Sequence, residues 1–128
     1  MSGGLTQAMD NKLLDHVNGV ASFTQPTTPL HARLMTANGS ATAAGTEVAG
    51  GSYAAQPVVF GSASAGAAAN SAQVVFTGMP AVTVTGVEIW DTSGSPQRLW
   101  WGPLAASKSL NSGDTFQFDT GALAVSLA

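Results

Sequence analysis

The chain's two histidines, His16 and His31, are the side chains best suited to move protons near neutral pH. A general base needs an orienting acid within hydrogen-bond reach. Asp15 directly precedes His16, but consecutive residues of a helix do not face each other. No acid stands at an orienting distance along the chain from His31. Both are read as structural or surface histidines. Gly61-Ser62-Ala63-Ser64-Ala65-Gly66 has the small residues of a phosphate loop, yet Ala67-Ala68 stands where Lys and Ser/Thr would be required. The same segment fails the G-x-S-x-G nucleophile elbow, because Ser62 occupies the first glycine position. Asp91, Asp114 and Asp119 fall in turn-forming stretches and lack the dense acidic series of a calcium loop. Their expected work is local hydrogen bonding. Asn38-Gly39-Ser40 matches a glycosylation sequon, a short and unspecific pattern. The sequence assigns no catalytic, cofactor-binding or metal-binding residue, and an enzyme is not expected.

Composition narrows the remaining classes. The 128 residues have room for one core. Charged residues are 9% of the chain, against about 25% in ordinary globular domains. A surface this poor in charge repels neighbours weakly and suits a protein packed beside others. The four Lys/Arg (Lys12, Arg33, Arg98, Lys108) are scattered, so no basic face for nucleic acid can be built. There is no cysteine, which excludes disulfides and thiolate metal sites. Met1-Ser2-Gly3-Gly4 lacks a basic secretory start, and no apolar run reaches about 18 residues. No membrane contact by these routes is expected.

The elements that would position any site follow from periodicity. Leu5, Met9, Leu13 and Val17 recur every fourth residue, which predicts an N-terminal helix with a stop at Asn18-Gly19. Pro26 and Pro29 keep the next segment non-helical. Strands are predicted from Leu30, Thr46, Tyr53 to Phe60, Gln73, Thr83, Leu99, Lys108, Thr115 and Leu123, and Gly61 to Asn70 as a loop. The expected fold is mainly β: an antiparallel β-sandwich, or flattened barrel, of about seven to nine short strands with one N-terminal α-helix. Residues 1–19 would dock on the sheet or on a partner, and residues 20–128 would form a single β-sandwich domain.

All three tryptophans lie in one predicted hairpin, Thr83 to Gly102. Trp100 and Trp101 are adjacent, so on a strand they point to opposite faces. One indole enters the core and the other needs cover from the N-terminal segment, a loop or a second subunit. Trp90, Trp100 and Trp101, with Leu5, Met9 and Leu13 of the helix stripe, are therefore the candidate interface.

Five segments resemble, in the same order, a family of small virion proteins of tailed bacteriophages that commonly carry the label of tail fibre protein. They are LLDHVNG, PTTPLHARLMTANG, GTEVAGGSYAAQPVVFG, GVEIWDTSG and GPLAASKSLNSGDTFQFDTGALAVSLA. Gly45-Thr46-Glu47-Val48, Gly50-Gly51 and Tyr53-Ala54 are the most specific part. Ala55 stands where members often carry arginine, and Pro57 where they carry an apolar residue. The resemblance implies a structural protein of the virion, without catalytic residues, that contacts other virion proteins. A body of this length has a radius of gyration of roughly 14 Å, too small for a free-standing fibre. With its weak surface charge, that leans the expectation to a capsid decoration (cement) protein. Such a protein would bind the major capsid protein and copies of itself on the head exterior. A tail or tail-fibre component is the alternative. A host-carbohydrate-binding module, using exposed aromatic rings, is the second.

Overall fold

Thr6 begins the one helix of the described residues. Its hydroxyl accepts a hydrogen bond from the Met9 N–H at 3.4 Å, capping α1 (Gln7–Val17) in the computed structural model, which describes residues 3–127. Met1, Ser2 and Ala128, included in the expected domain bounds, lie outside the described residues. Asn18 closes the helix, and Gly19 takes the left-handed φ of 74° that such a stop requires. Leu5 is not on the helix. It precedes the cap and belongs to β1 (Gly4–Leu5), whose backbone pairs with Trp100 and Trp101.

The remaining strands are β2 (Leu30–Ala37), β3 (Thr46–Glu47), β4 (Gln56–Val58), β5 (Ala67–Ala69), β6 (Val74–Met79), β7 (Thr83–Trp90), β8 (Arg98–Ser109), β9 (Asp114–Phe118) and β10 (Ala124–Ser126). Together with β1 that makes ten among the described residues, above the expected seven to nine, because β1 and the three-residue β5 escape a pattern search. All the ladders are antiparallel. The first layer runs β1-β8-β7-β2-β3, with β4 also on β2.

The second layer consists of the pairs β6–β9 and β5–β10. Buried Asn70 joins them end to end. Beside β5 and β10 its backbone N–H reaches the Leu123 carbonyl at 3.1 Å and its Oδ1 accepts from the Leu123 N–H at 2.9 Å. Its Nδ2 donates to the Asp119 carbonyl just past β9 at 3.0 Å and to the Ala72 carbonyl before β6 at 2.9 Å. The two pairs thus act as one long ribbon. Val84, Val87, Ile89 and Leu34 of the first layer pack with Val74, Phe76, Phe116, Phe118 and Leu123 of the second to form the core. Phe76, Phe116 and Phe118 meet edge to face. The result is a β-sandwich with one N-terminal helix and no closed barrel.

Three expected elements are corrected. The predicted strand from Tyr53 to Phe60 shrinks to β4, where Pro57, lacking an N–H, sits on a strand paired only to β2. The stretch Gly61 to Asn70 contains β5 as well as loop. Lys108 to Leu110 is no separate strand, since β8 continues through Ser109.

Among the described residues, main-chain hydrogen bonds join the two layers beside β4. Immediately after β4, Gly61 N–H bonds the Ala69 carbonyl at 2.9 Å and Ser71 N–H bonds the Val59 carbonyl at 2.8 Å. The chain thereby crosses from the first layer to the second. On the other side, β8 and β9 share no ladder, and a seam remains between them. There β8 bulges: Gly86 pairs with Pro103 and Val84 with Lys108, so Leu104 to Ser107 arch out opposite Thr85.

Candidate assembly surface

Alternation along β7 sends Val87 and Ile89 to the core and Glu88 to the opposite face. Glu88 is nonetheless 1% exposed. Its Oε2 accepts from the Gly45 N–H at 2.8 Å and from Arg98 Nη1 at 3.4 Å, and its Oε1 accepts from Trp90 Nε1 at 3.1 Å. Loop residue Gly39 fits over this carboxylate because it has no Cβ, and Gly45 has no room for one because a Cβ there would meet the Ala37 carbonyl and the Gly39 nitrogen. One built on Gly39 would sit 2.6 Å from Glu88 Oε2. Arg33, the cross-strand partner of Glu88, holds its guanidinium 4.2 Å from the Trp90 ring centroid.

The adjacent tryptophans divide as alternation requires. Trp100 lies opposite Ile89 and packs against the core, beside a small apolar cleft of about 150 Å³ that includes Ala68, Val125 and Leu127. Trp101 lies opposite Glu88, half-buried, and among the described residues its buried Nε1 has no hydrogen-bond partner. Orphaned donors of this kind are rare and costly. None of the three indoles is exposed, and each is covered largely by its own chain. Tyr53 is half-buried as well, its hydroxyl donating to Glu47 Oε2 at 2.7 Å and accepting from the Leu34 N–H at 3.0 Å. Burial, then the Glu47 hydrogen bond, push its pKa upward. Tyr53, like the three tryptophans, is thus partly covered.

The helix is anchored at its start. Thr6 N–H bonds the Leu99 carbonyl at 3.0 Å, Thr6 Oγ1 donates to the Arg98 carbonyl at 2.9 Å, and Gln7 N–H bonds the Ala41 carbonyl at 2.9 Å. Lys12 Nζ donates to Gln97 Oε1 at 2.8 Å. Met9 is 3% exposed and serves docking, so it is not available to a partner. Leu13 is half-buried. The open apolar side chains are Leu14, Val17 and, past the helix end, Val20, at 58%, 78% and 73% exposure. The exposed face is therefore rotated from the one that a fourfold spacing from Leu5 predicts.

A cleft of about 540 Å³ lies against the first helical turn, bounded by Thr6, Met9, Lys12, Ala41, Gln97 and Arg98. It is lined by no histidine or acid. His16 Nδ1 accepts from the Phe23 N–H at 3.1 Å near the helix end, while His31 sits in β2 opposite Trp90 and Pro57. The two are not brought together on one element. Asp91 is buried and organises the hairpin loop, accepting from the N–H groups of Gln97 at 2.7 Å, Thr27 at 3.3 Å and Ser93 at 3.4 Å, and from Ser93 Oγ at 3.0 Å. Burial works to raise its pKa, but these hydrogen bonds outweigh it and hold the carboxyl below its ordinary range. Asp114 accepts from the Asn111 N–H at 2.8 Å and Asp119 from Gln117 Nε2 at 2.6 Å, as the turn reading expects. Among the described residues, no three His, Asp or Glu side chains are grouped to hold a metal ion. No helix of the described residues is long and apolar enough to cross a membrane.

Sequence reasoning missed Glu88 and Asn70. For Glu88 a signal existed: Val87, Ile89 and Trp90 leave it inside a nearly continuous apolar run, the mark of a strand covered on both faces. Asn70, at the end of a low-complexity stretch, gave none.

No curated protein matches the sequence. A family model does, over residues 4–126, which takes in the helix, both layers and the tryptophan hairpin. Its description is that of a fibre protein of a tailed phage, in line with the resemblance read from the five segments. The chain belongs to the family described as Podophage GP4 fiber I protein gp80.

Proposed function

We propose that this protein is a non-catalytic building block of a bacteriophage fibre, working through contacts with other virion proteins. The observation that carries this reading is the family match over residues 4–126. The distribution of side chains supports it: polar groups of the hairpin and the helix start are spent on each other, while Leu14, Val17 and Val20 remain open. Covering such apolar surface contributes about 25 cal/mol per Å² before the costs of ordering. Head decoration, to which composition leans, draws no support from the match, and a fibre location is preferred. A body of one domain then serves as one bead or tip of a longer structure. Gold-labelled antibody against this protein, imaged on intact virions, tests the location. Label on the tail or its fibres is expected, and label confined to the head contradicts the proposal.

A further inference from the structure

Among the described residues five large apolar side chains are exposed, and three of them, Leu14, Val17 and Val20, fall within one seven-residue stretch. On α1, Asp10, Leu14 and Val17 share a face, being spaced by four and three residues. Asp10 is exposed, so this face is apolar with an acid at one end. Lys12 is turned away, to Gln97.

The seam between the layers is the opposite in shape and sign. It is a groove of about 300 Å³, floored by Val87, Phe116 and Leu123 and flanked by Leu104 and Ala106 of the β8 bulge. Lys108 stands on its lining. Of the four Lys/Arg, Lys12 bonds Gln97, Arg33 pairs with Glu47 and Arg98 with Glu88. Among the described residues Lys108 is the one cation with no side-chain partner. On the far side, β9 hydrogen-bonds only to β6, and no strand bridges the seam.

We infer that the occupant of this groove is the α1 face of a second copy of the chain. Leu14 and Val17 would enter between the β8 bulge and β9, with Asp10 near the copy's Lys108. Apolar knobs meet an apolar groove, and the acid meets the unpaired cation. The two surfaces are different parts of one molecule, so the contact is heterologous and repeats head to tail into a ring or filament. This deepens the fibre reading and rests on it for the biological use of a repeating contact. The solution test below is independent of where the protein sits in the virion.

The test uses the full chain and two variants at exposed positions, Val17→Glu in the helix face and Ala106→Glu on the groove wall. Far-UV circular dichroism checks that both keep the fold. In sedimentation velocity the wild type should associate with rising concentration. Each variant alone should lose at least about tenfold in association, because a charge is forced into an apolar contact. An equimolar mixture should form a dimer and stop there, since one intact helix face meets one intact groove. A wild type that stays monomeric, variants that associate as the wild type does, or a mixture that stays monomeric each overturns the inference.

Discussion

Arg98 Nη1 lies 3.4 Å from Glu88 Oε2 across the β7–β8 ladder, with the two side chains 9% and 1% exposed. Breaking a buried pair by removing one member typically costs about 3–5 kcal/mol, because the other charge stays behind without compensation. Arg98→Met should therefore lower the unfolding free energy by about 3 kcal/mol. Adding Glu88→Met should cost less than the sum of the single changes. Urea unfolding in a double-mutant cycle checks this, and an Arg98→Met variant as stable as the wild type contradicts it.

Asn70 is the joint of the second layer. Its Nδ2 donates to the Ala72 and Asp119 carbonyls at 2.9 and 3.0 Å, while Oδ1 accepts from Leu123. Asn70→Asp keeps the acceptor but sets a carboxylate against two carbonyls. A loss of about 2–3 kcal/mol is expected. Amide exchange at Leu123 and Gly121 should quicken more than in α1. Equal protection in both regions would remove Asn70 from this role.

Asp91 makes stability depend on acid in a definite direction. Burial raises its pKa, the hydrogen bonds from Gln97, Thr27 and Ser93 together lower it by more, and the net folded value lies below the unfolded one. Its contribution is thus fully present above the unfolded pKa and disappears as pH falls through the folded pKa. The melting-temperature gap between wild type and Asp91→Asn should be widest at neutral pH and narrow on acidification. A gap that widens in acid reverses the sign and refutes the argument.

Ala65 has φ 53° and Gly66 φ 75°, in a turn closed by Ser64 and Ala67 hydrogen-bonding each other at 2.8 and 3.0 Å. Two left-handed residues in a two-residue hairpin favour Asn-Gly over Ala-Gly. Ala65→Asn should stabilise by about 0.5–1 kcal/mol, given the Cβ cost of that conformation. Thermal unfolding measures it; a lowered midpoint argues against this turn.

What could be read from residues alone was what period and punctuation control. The helix stop at Asn18-Gly19, the Trp100/Trp101 division and the hairpin turn from Asp91 all follow from local rules, and all are present. The misplaced elements depend on distant partners. Ala67–Ala69 have poor strand propensity, and they form β5 because β10 and Asn70 hold them there. The helix face looked set by the Leu5 spacing, but the Thr6 cap and the docking of Met9 fix it instead. Which surface remained open could be known only once the layers were assembled, because the seam exists where β8 and β9 fail to pair.

The match over residues 4–126 places the chain in a phage fibre family, and we propose that copies of it repeat along the fibre. Cryo-electron reconstruction of the intact virion, at a resolution that resolves β-layers and a single helix, tests it most directly. Copies of this sandwich along the tail fibres, with α1 facing a neighbouring chain, are predicted. Density for it only on the capsid, or in no part of the particle, contradicts the account.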